Sequence, residues 1–324
     1  MGTVALPAPQ DGIRDAVRAD SRVYLASWDR LRIIAALDTV AVHLTGYHVF
    51  FGFGLPLFLI LSVALGVSKR EAPTTRRFLA RRSERIVAPW LFWSVVLAVW
   101  MVLRAYAREQ PLLGWAEPRM LLYGPRIHLW FLPFIVVAGL VAHWAHRHLP
   151  KAGRVSIIAA IVLAGGLLWL PPQQTLGWPF DQWTFALPTL PLGYALGRSL
   201  ALAGDLRQFR LWATGSWVLF CAVGLAVVAL EPRAGGFLFR YAGGCGLLVG
   251  GAWLPARGDS LTRRLAPLML GVYVLHPALY SWTLKPLFLV LGLHPFLWLR
   301  VAVTFPFAMG VTALLRQTPL RRVL

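Results

Sequence analysis

Residues 211–230 read LWATGSWVLFCAVGLAVVAL, a run without one charged side chain. A helix of that length rises about 30 Å, the thickness of a bilayer's hydrocarbon core. Its apolar residues are continuous rather than alternating, which argues against a strand of an outer-membrane barrel. Similar runs lie on both sides, at 31–49, 55–68, 86–106, 128–144, 155–170, 183–200, 237–253, 265–283 and 296–315. Pro171 with Pro172, Gly177 with Pro179, and His294 with Pro295 break the pattern where loops are expected. Of 324 residues, 58% are hydrophobic and 14% charged, so ten spans leave only short loops and no room for a soluble domain. The expected fold is all-α: a polytopic membrane helix bundle of about ten transmembrane helices.

Lys and Arg number 32 against 13 Asp and Glu, a net charge of +19. In a soluble chain this balance suggests nucleic acid; here the cations cluster between apolar runs, which indicates topology and anionic headgroups or substrates, with no nucleic-acid partner. A cytoplasmic N-terminus puts 24 of the 32 Lys and Arg on the cytoplasmic side and leaves eight for the other face or the spans. Both termini are therefore expected in the cytoplasm and the chain in the inner (plasma) membrane. Residues 1–27 lack the look of a cleavable signal and read as a cytoplasmic tail with a short interfacial helix. The membrane domain follows over 28–316, and 317–324 form a second cytoplasmic tail. Trp28, Trp90, Trp183, Trp253 and Trp298 fall near span ends, as an aromatic belt would. Cys221 and Cys245 lie inside apolar runs and read as buried, reduced thiols.

Polar side chains inside spans cost free energy, and the first span carries the densest set: Arg32, Asp38, Thr39 and His43. Ten residues separate Arg32 from His43, so over eleven helical steps they project within about 20° of each other and roughly 16 Å apart along the axis. Arg32 would stand at the cytoplasmic mouth and His43 near or beyond the midplane, in one shared cleft. A cation at the mouth suits a phosphate-bearing ligand, and a neutral imidazole deeper in suits proton abstraction. Alone, Arg32 is equally a topology residue and His43 equally an interhelical hydrogen bonder. Asp38 points about 140° away from His43 and is expected to pair with a cation such as Arg126, Arg240 or Arg300, not to form an Asp–His dyad.

Asp29-Arg30-Leu31-Arg32, followed after ten residues by His43, resembles the first-helix pattern of the acyltransferase 3 family of integral-membrane O-acyltransferases. The stretch from Phe78 through Arg81, Arg82, Arg85 and Trp90 resembles that family's basic segment before its third helix. His128-Leu129-Trp130-Phe131-Leu132 and Tyr273-Val274-Leu275-His276 are similar to two later motifs, in the same order. The chain departs at Phe58–Val63, where the family has a Phe-rich stretch ending Ser-Gly-Phe, and at Asp38, a position normally apolar.

The resemblance implies transfer of an acyl group, usually acetyl from acetyl-CoA, to a hydroxyl of a glycan, glycolipid or small molecule, with no metal. Arg32 and His43 match the family's functional pair: His43 as general base, Arg32 orienting the acyl-CoA donor. A charged CoA cannot cross the bilayer, so its pantetheine arm would enter from the cytoplasm. Arg81, Arg82 and Arg85 either fix topology or grip the nucleotide phosphates. His128 and Trp130 are either interfacial anchors or line the acceptor entrance. Tyr273 and His276, three apart on one helix face, are either a hydrogen-bonded structural pair or substrate contacts. A transporter or flippase of an amphiphile is the alternative class, and it predicts broken helices at matching places in two halves, which are not found.

Overall fold

The computed structural model describes residues 10–46, 52–69, 72–149, 153–171, 176–254, 260–293 and 296–323, with 10–26 described by backbone alone. The described residues are helical, without a strand. In chain order the α-helices are α1 (Gln10–Thr45), α2 (Gly54–Val67), α3 (Thr75–Arg82), α4 (Ala88–Tyr106), α5 (Met120–Tyr123), α6 (Phe131–His148), α7 (Gly153–Gly166) and α8 (Phe180–Ala186). They continue as α9 (Thr189–Leu202), α10 (Leu206–Leu230), α11 (Gly235–Trp253), α12 (Ser260–Leu265), α13 (Met269–Leu279), α14 (Lys285–Val290) and α15 (Leu297–Leu315). Single π-turns at Ser83–Val87 and Tyr280–Leu284 join α3 to α4 and α13 to α14.

Among the described residues, five helical stretches are long and apolar enough to cross a membrane: 75–106, 128–148, 206–230, 260–290 and 297–315. Stretches 54–67 and 153–169 are apolar but shorter. The other expected spans are helical yet fall outside this class. The 183–200 run is divided at Pro188 into α8 and α9, and α11 dilutes its apolar residues with glycine and Arg240. The expected tail and first span form one helix, because no proline between Gln10 and Thr45 removes a backbone N–H. It stops at Gly46, whose φ of +72° only glycine adopts without cost and whose N–H closes on the Val42 carbonyl. Residues 47–49 of that span and the break at His294 and Pro295 lie outside the described residues.

We call the end of the bundle near Trp28 proximal and the end where α1 stops distal. Helix α11 runs antiparallel to α1: Gly251 packs on Leu31 proximally, and Arg240 packs on Gly52 distally. The centre is α2, apolar all round and enclosed by α1, α6, α9 and α11. Close approach of α9 depends on Gly193 and Gly197. A Cβ at Gly193 would stand 2.6 Å from the Ile60 carbonyl oxygen, and one at Gly197 would meet the Ala64 carbonyl. Small residues four apart let two backbones touch where no hydrophobic drive from water assists. Trp28 is fully buried and belongs to this core, not to an interfacial belt, whereas Trp253 and Trp298 are exposed at helix ends. Both cysteines are free thiols. The last residues fold back as a 3₁₀ turn, and the Trp93 indole N–H donates to the Val323 carbonyl at 2.8 Å.

Candidate active site

Three imidazoles from distant parts of the chain meet at the distal end. His43 is in the last turn of α1, His276 is on α13, and His128 lies in the 3₁₀ turn Ile127–Trp130 that leads into α6. Nδ1 of His43 lies 3.0 Å from Nε2 of His276, and the rings stack with centroids 5.1 Å apart. Nδ1 of His276 is 3.1 Å from the Val272 carbonyl oxygen. A carbonyl only accepts, so that nitrogen carries the proton and Nε2 of a neutral His276 accepts from His43 Nδ1–H. The hydrogen-bond network thus assigns His43 the tautomer whose Nε2 bears the lone pair. His128 is buried and hydrogen-bonded to the Val274 backbone, and its Nε2 has no hydrogen-bond partner among the described residues. Among the described residues no group of three or more His, Cys, Asp or Glu side chains is placed to hold a metal ion.

Two cavities meet at His43, which is why a residue inside the bundle remains exposed. The first, about 320 Å³, has aromatic walls from Trp130, Phe185, Phe237 and Tyr273 and polar groups from Asp181 and Gln182. The second, about 340 Å³, holds all three histidines with Arg126, Ser281 and Lys285.

Asp38 shapes the first cavity. Its Oδ2 accepts the amides of Gly52 and Gly54 at 2.9 and 2.7 Å, with Arg240 as its neighbouring cation. Of the three cations expected to partner it, Arg240 is the near one, acting through charge and not a hydrogen bond, since Asp38 Oδ1 has no hydrogen-bond partner among the described residues. Arg126 instead lies over the Trp100 ring, and Arg300 donates to the Leu44 carbonyl. A Cβ at Gly54 would fall 2.8 Å from Asp38 Oδ2 and 2.5 Å from the Ala35 carbonyl oxygen, so this junction requires glycine.

The residues expected to hold the donor lie elsewhere. Arg32 bonds Asp29 at 2.6 Å and, among the described residues, is not one that lines the two cavities at His43. Burial raises the Asp29 carboxyl above its usual range, against the opposing pull of Arg32. Arg81 and Arg85 are exposed, and Arg82 packs over the Phe78 ring beside Gly139. Trp130 is buried on the first cavity rather than anchored at an interface. Tyr273 meets His276 edge-on at 6.0 Å; the expected side-chain hydrogen bond is absent because His43 and Val272 occupy the imidazole nitrogens. Asp181, Gln182 and Lys285 belong to no motif and no sequence signal singles them out, while Arg126 entered only as a candidate cation for Asp38.

A helical bundle with helices of membrane-spanning length, holding paired imidazoles between two cavities, defines a membrane protein with a candidate site at its distal end. Residues 25–316 match the acyltransferase domain family, acyltransferase 3, and the chain belongs to it. Searches of curated proteins and of solved structures gave no match.

Proposed function

We propose that the protein is a membrane O-acyltransferase that moves an acyl group, acetyl in the first instance, from acyl-CoA to a hydroxyl of a glycan, glycolipid or small molecule. The observation that carries this reading is the His43–His276 pair set between two cavities. A hydroxyl attacks a thioester slowly until a base takes its proton. His43, held through Nδ1–H by His276, offers Nε2 for that proton. The hydroxyl oxygen bonds to the thioester carbonyl carbon, the C–S bond breaks, and the imidazolium returns its proton to the CoA thiolate. The products are an ester and free CoA, with His43 restored. Aromatic walls and the Asp181 and Gln182 side chains suit a sugar ring in the first cavity.

The charge count makes the proximal end cytoplasmic, in the plasma membrane, where acyl-CoA is available. Arg32, with Arg81, Arg82 and Arg85, would bind the CoA phosphates there. The distance from Arg32 to His43 along α1, roughly 16 Å, is of the order that an extended pantetheine arm covers. Arg32 lines neither described cavity at His43, so in this reading the donor arm runs between α1 and its neighbours.

The test is the purified protein in detergent with labelled acetyl-CoA and a panel of glycosides. The wild type should form labelled ester, His43→Ala should not, and Arg32→Ala should use the donor poorly. Full transfer by the His43 variant would remove the proposed base. A wild type that neither binds nor turns over acetyl-CoA would remove the donor.

A further inference from the structure

We propose that Arg104, Arg108, Arg126 and Lys285 form an anion site at the distal end that binds a phosphate or diphosphate group on the acceptor. The assignment to the acceptor rests on reading the histidine pair as the transfer site. The four cations line a cleft of about 590 Å³ together with Trp100 and Ser281. Arg104 and Arg126 lie over the same Trp100 ring, at 5.4 and 5.0 Å from its centroid, and Trp100 stacks on Trp282 at 4.7 Å. Two guanidiniums are thus held against one indole, and none of the four cations has an ion-pair partner among the described residues. Like charges gathered this way repel unless an anion joins them. Burial and the adjacent Arg104 depress the pKa of Arg126, as such crowding requires.

Position gives the cleft its meaning. Arg126, Ser281 and Lys285 line both this cleft and the cavity holding His43, His128 and His276. An anion bound here therefore belongs to a molecule that also reaches the imidazoles. The charge count of the sequence assigns 24 of the 32 Lys and Arg to the cytoplasmic side, and half of the remaining eight meet at this one cleft. Cations serving lipid headgroups have no reason to converge on a cavity leading inward. Phosphates of a donor bound at the proximal end would not reach it.

The experiment uses the full chain in a detergent with an uncharged headgroup and radiolabelled inorganic pyrophosphate as probe. Saturable binding is expected, weakened about tenfold or more in Arg126→Gln and Arg104→Gln, as loss of a charge-assisted hydrogen bond would do. Arg108→Gln, at an exposed position, gives a second variant should Arg126→Gln misfold, and Arg207→Gln, remote from the cleft, should bind as wild type. A hexose 1-phosphate should displace the probe and CoA should not. Displacement by CoA would give the cleft to the donor, and displacement by anionic phospholipid would give it to lipid; either overturns the proposal, as does the absence of saturable binding. Where transfer is active, the preference for hexose 1-phosphate over hexose should fall about tenfold in Arg126→Gln. A wild type that binds pyrophosphate yet transfers no acyl group would overturn the transfer reading and leave the anion site standing.

Discussion

His276 fixes the proton of His43 across 233 residues of chain: the two ring nitrogens stand 3.0 Å apart, and the far nitrogen of His276 is committed to the Val272 carbonyl. One imidazole thereby sets the tautomer of the other. The relay differs from a carboxylate–histidine pair in bringing no negative charge to the site.

Removing that partner should cost rate rather than binding. His276→Ala is expected to lower kcat by about a hundredfold or more, because the His43 ring loses its orientation and tautomer. KM for acyl-CoA should stay near the wild-type value. A variant that raises KM and keeps kcat would show that His276 binds ligand instead.

Arg32 should behave in the opposite way. Arg32→Ala is expected to raise KM for acyl-CoA about tenfold, the effect of losing one charged contact to phosphate. Saturating donor should restore most of the rate. Initial rates across donor concentration separate this from a loss in kcat, which would place Arg32 at the chemistry.

Asp38 should matter for stability. Asp38→Ala leaves two amides and Arg240 without their carboxylate, a loss of about 3 kcal/mol. Asp38→Asn keeps one acceptor oxygen and should fall between. Thermal unfolding in detergent reads both, and an alanine variant as stable as wild type would refute the assignment.

Glycine substitutions should sort by contact. Gly193→Val drives a side chain into the α2 backbone and should destabilise by at least about 2 kcal/mol. Gly215→Ala, on α10 with open space around it, should be neutral or stabilising by up to about 1 kcal/mol. Equal effects would mean that α9 does not touch α2 as described.

Orientation is testable with single cysteines, after Cys221 and Cys245 are changed to serine. Leu113→Cys, in the distal connection after α4, should react with a membrane-impermeant maleimide on intact cells. Arg263→Cys, in α12, should react only after the cells are opened. The reverse pattern would invert the topology and with it the proposed donor route.

Periodicity and composition made the helices legible, because a long apolar run has one low-energy form in hydrocarbon. Among the described residues, five of the ten expected spans have the length and hydropathy of a membrane crossing. Pro188 and the glycines of α11 are visible in the sequence, but whether a helix crosses alone or leans on its neighbours depends on what packs against it. The positions of His43, His128 and His276 were legible as motifs; their meeting was not, since nothing local ties residue 43 to residue 276.

The sequence by itself determined a helical membrane protein with its cations clustered between apolar runs, for these follow from the cost of placing backbone and charge in lipid. It also determined that Arg32 and His43 share a helix, a matter of spacing alone. Only the tertiary structure decided that His43 answers to His276, that Asp38 closes on two glycine amides near Arg240, and that Arg32 stands outside the cavities around His43. Those relationships join side chains far apart in the chain, and only the packing of α1 against α2, α11 and α13 brings them within hydrogen-bond reach.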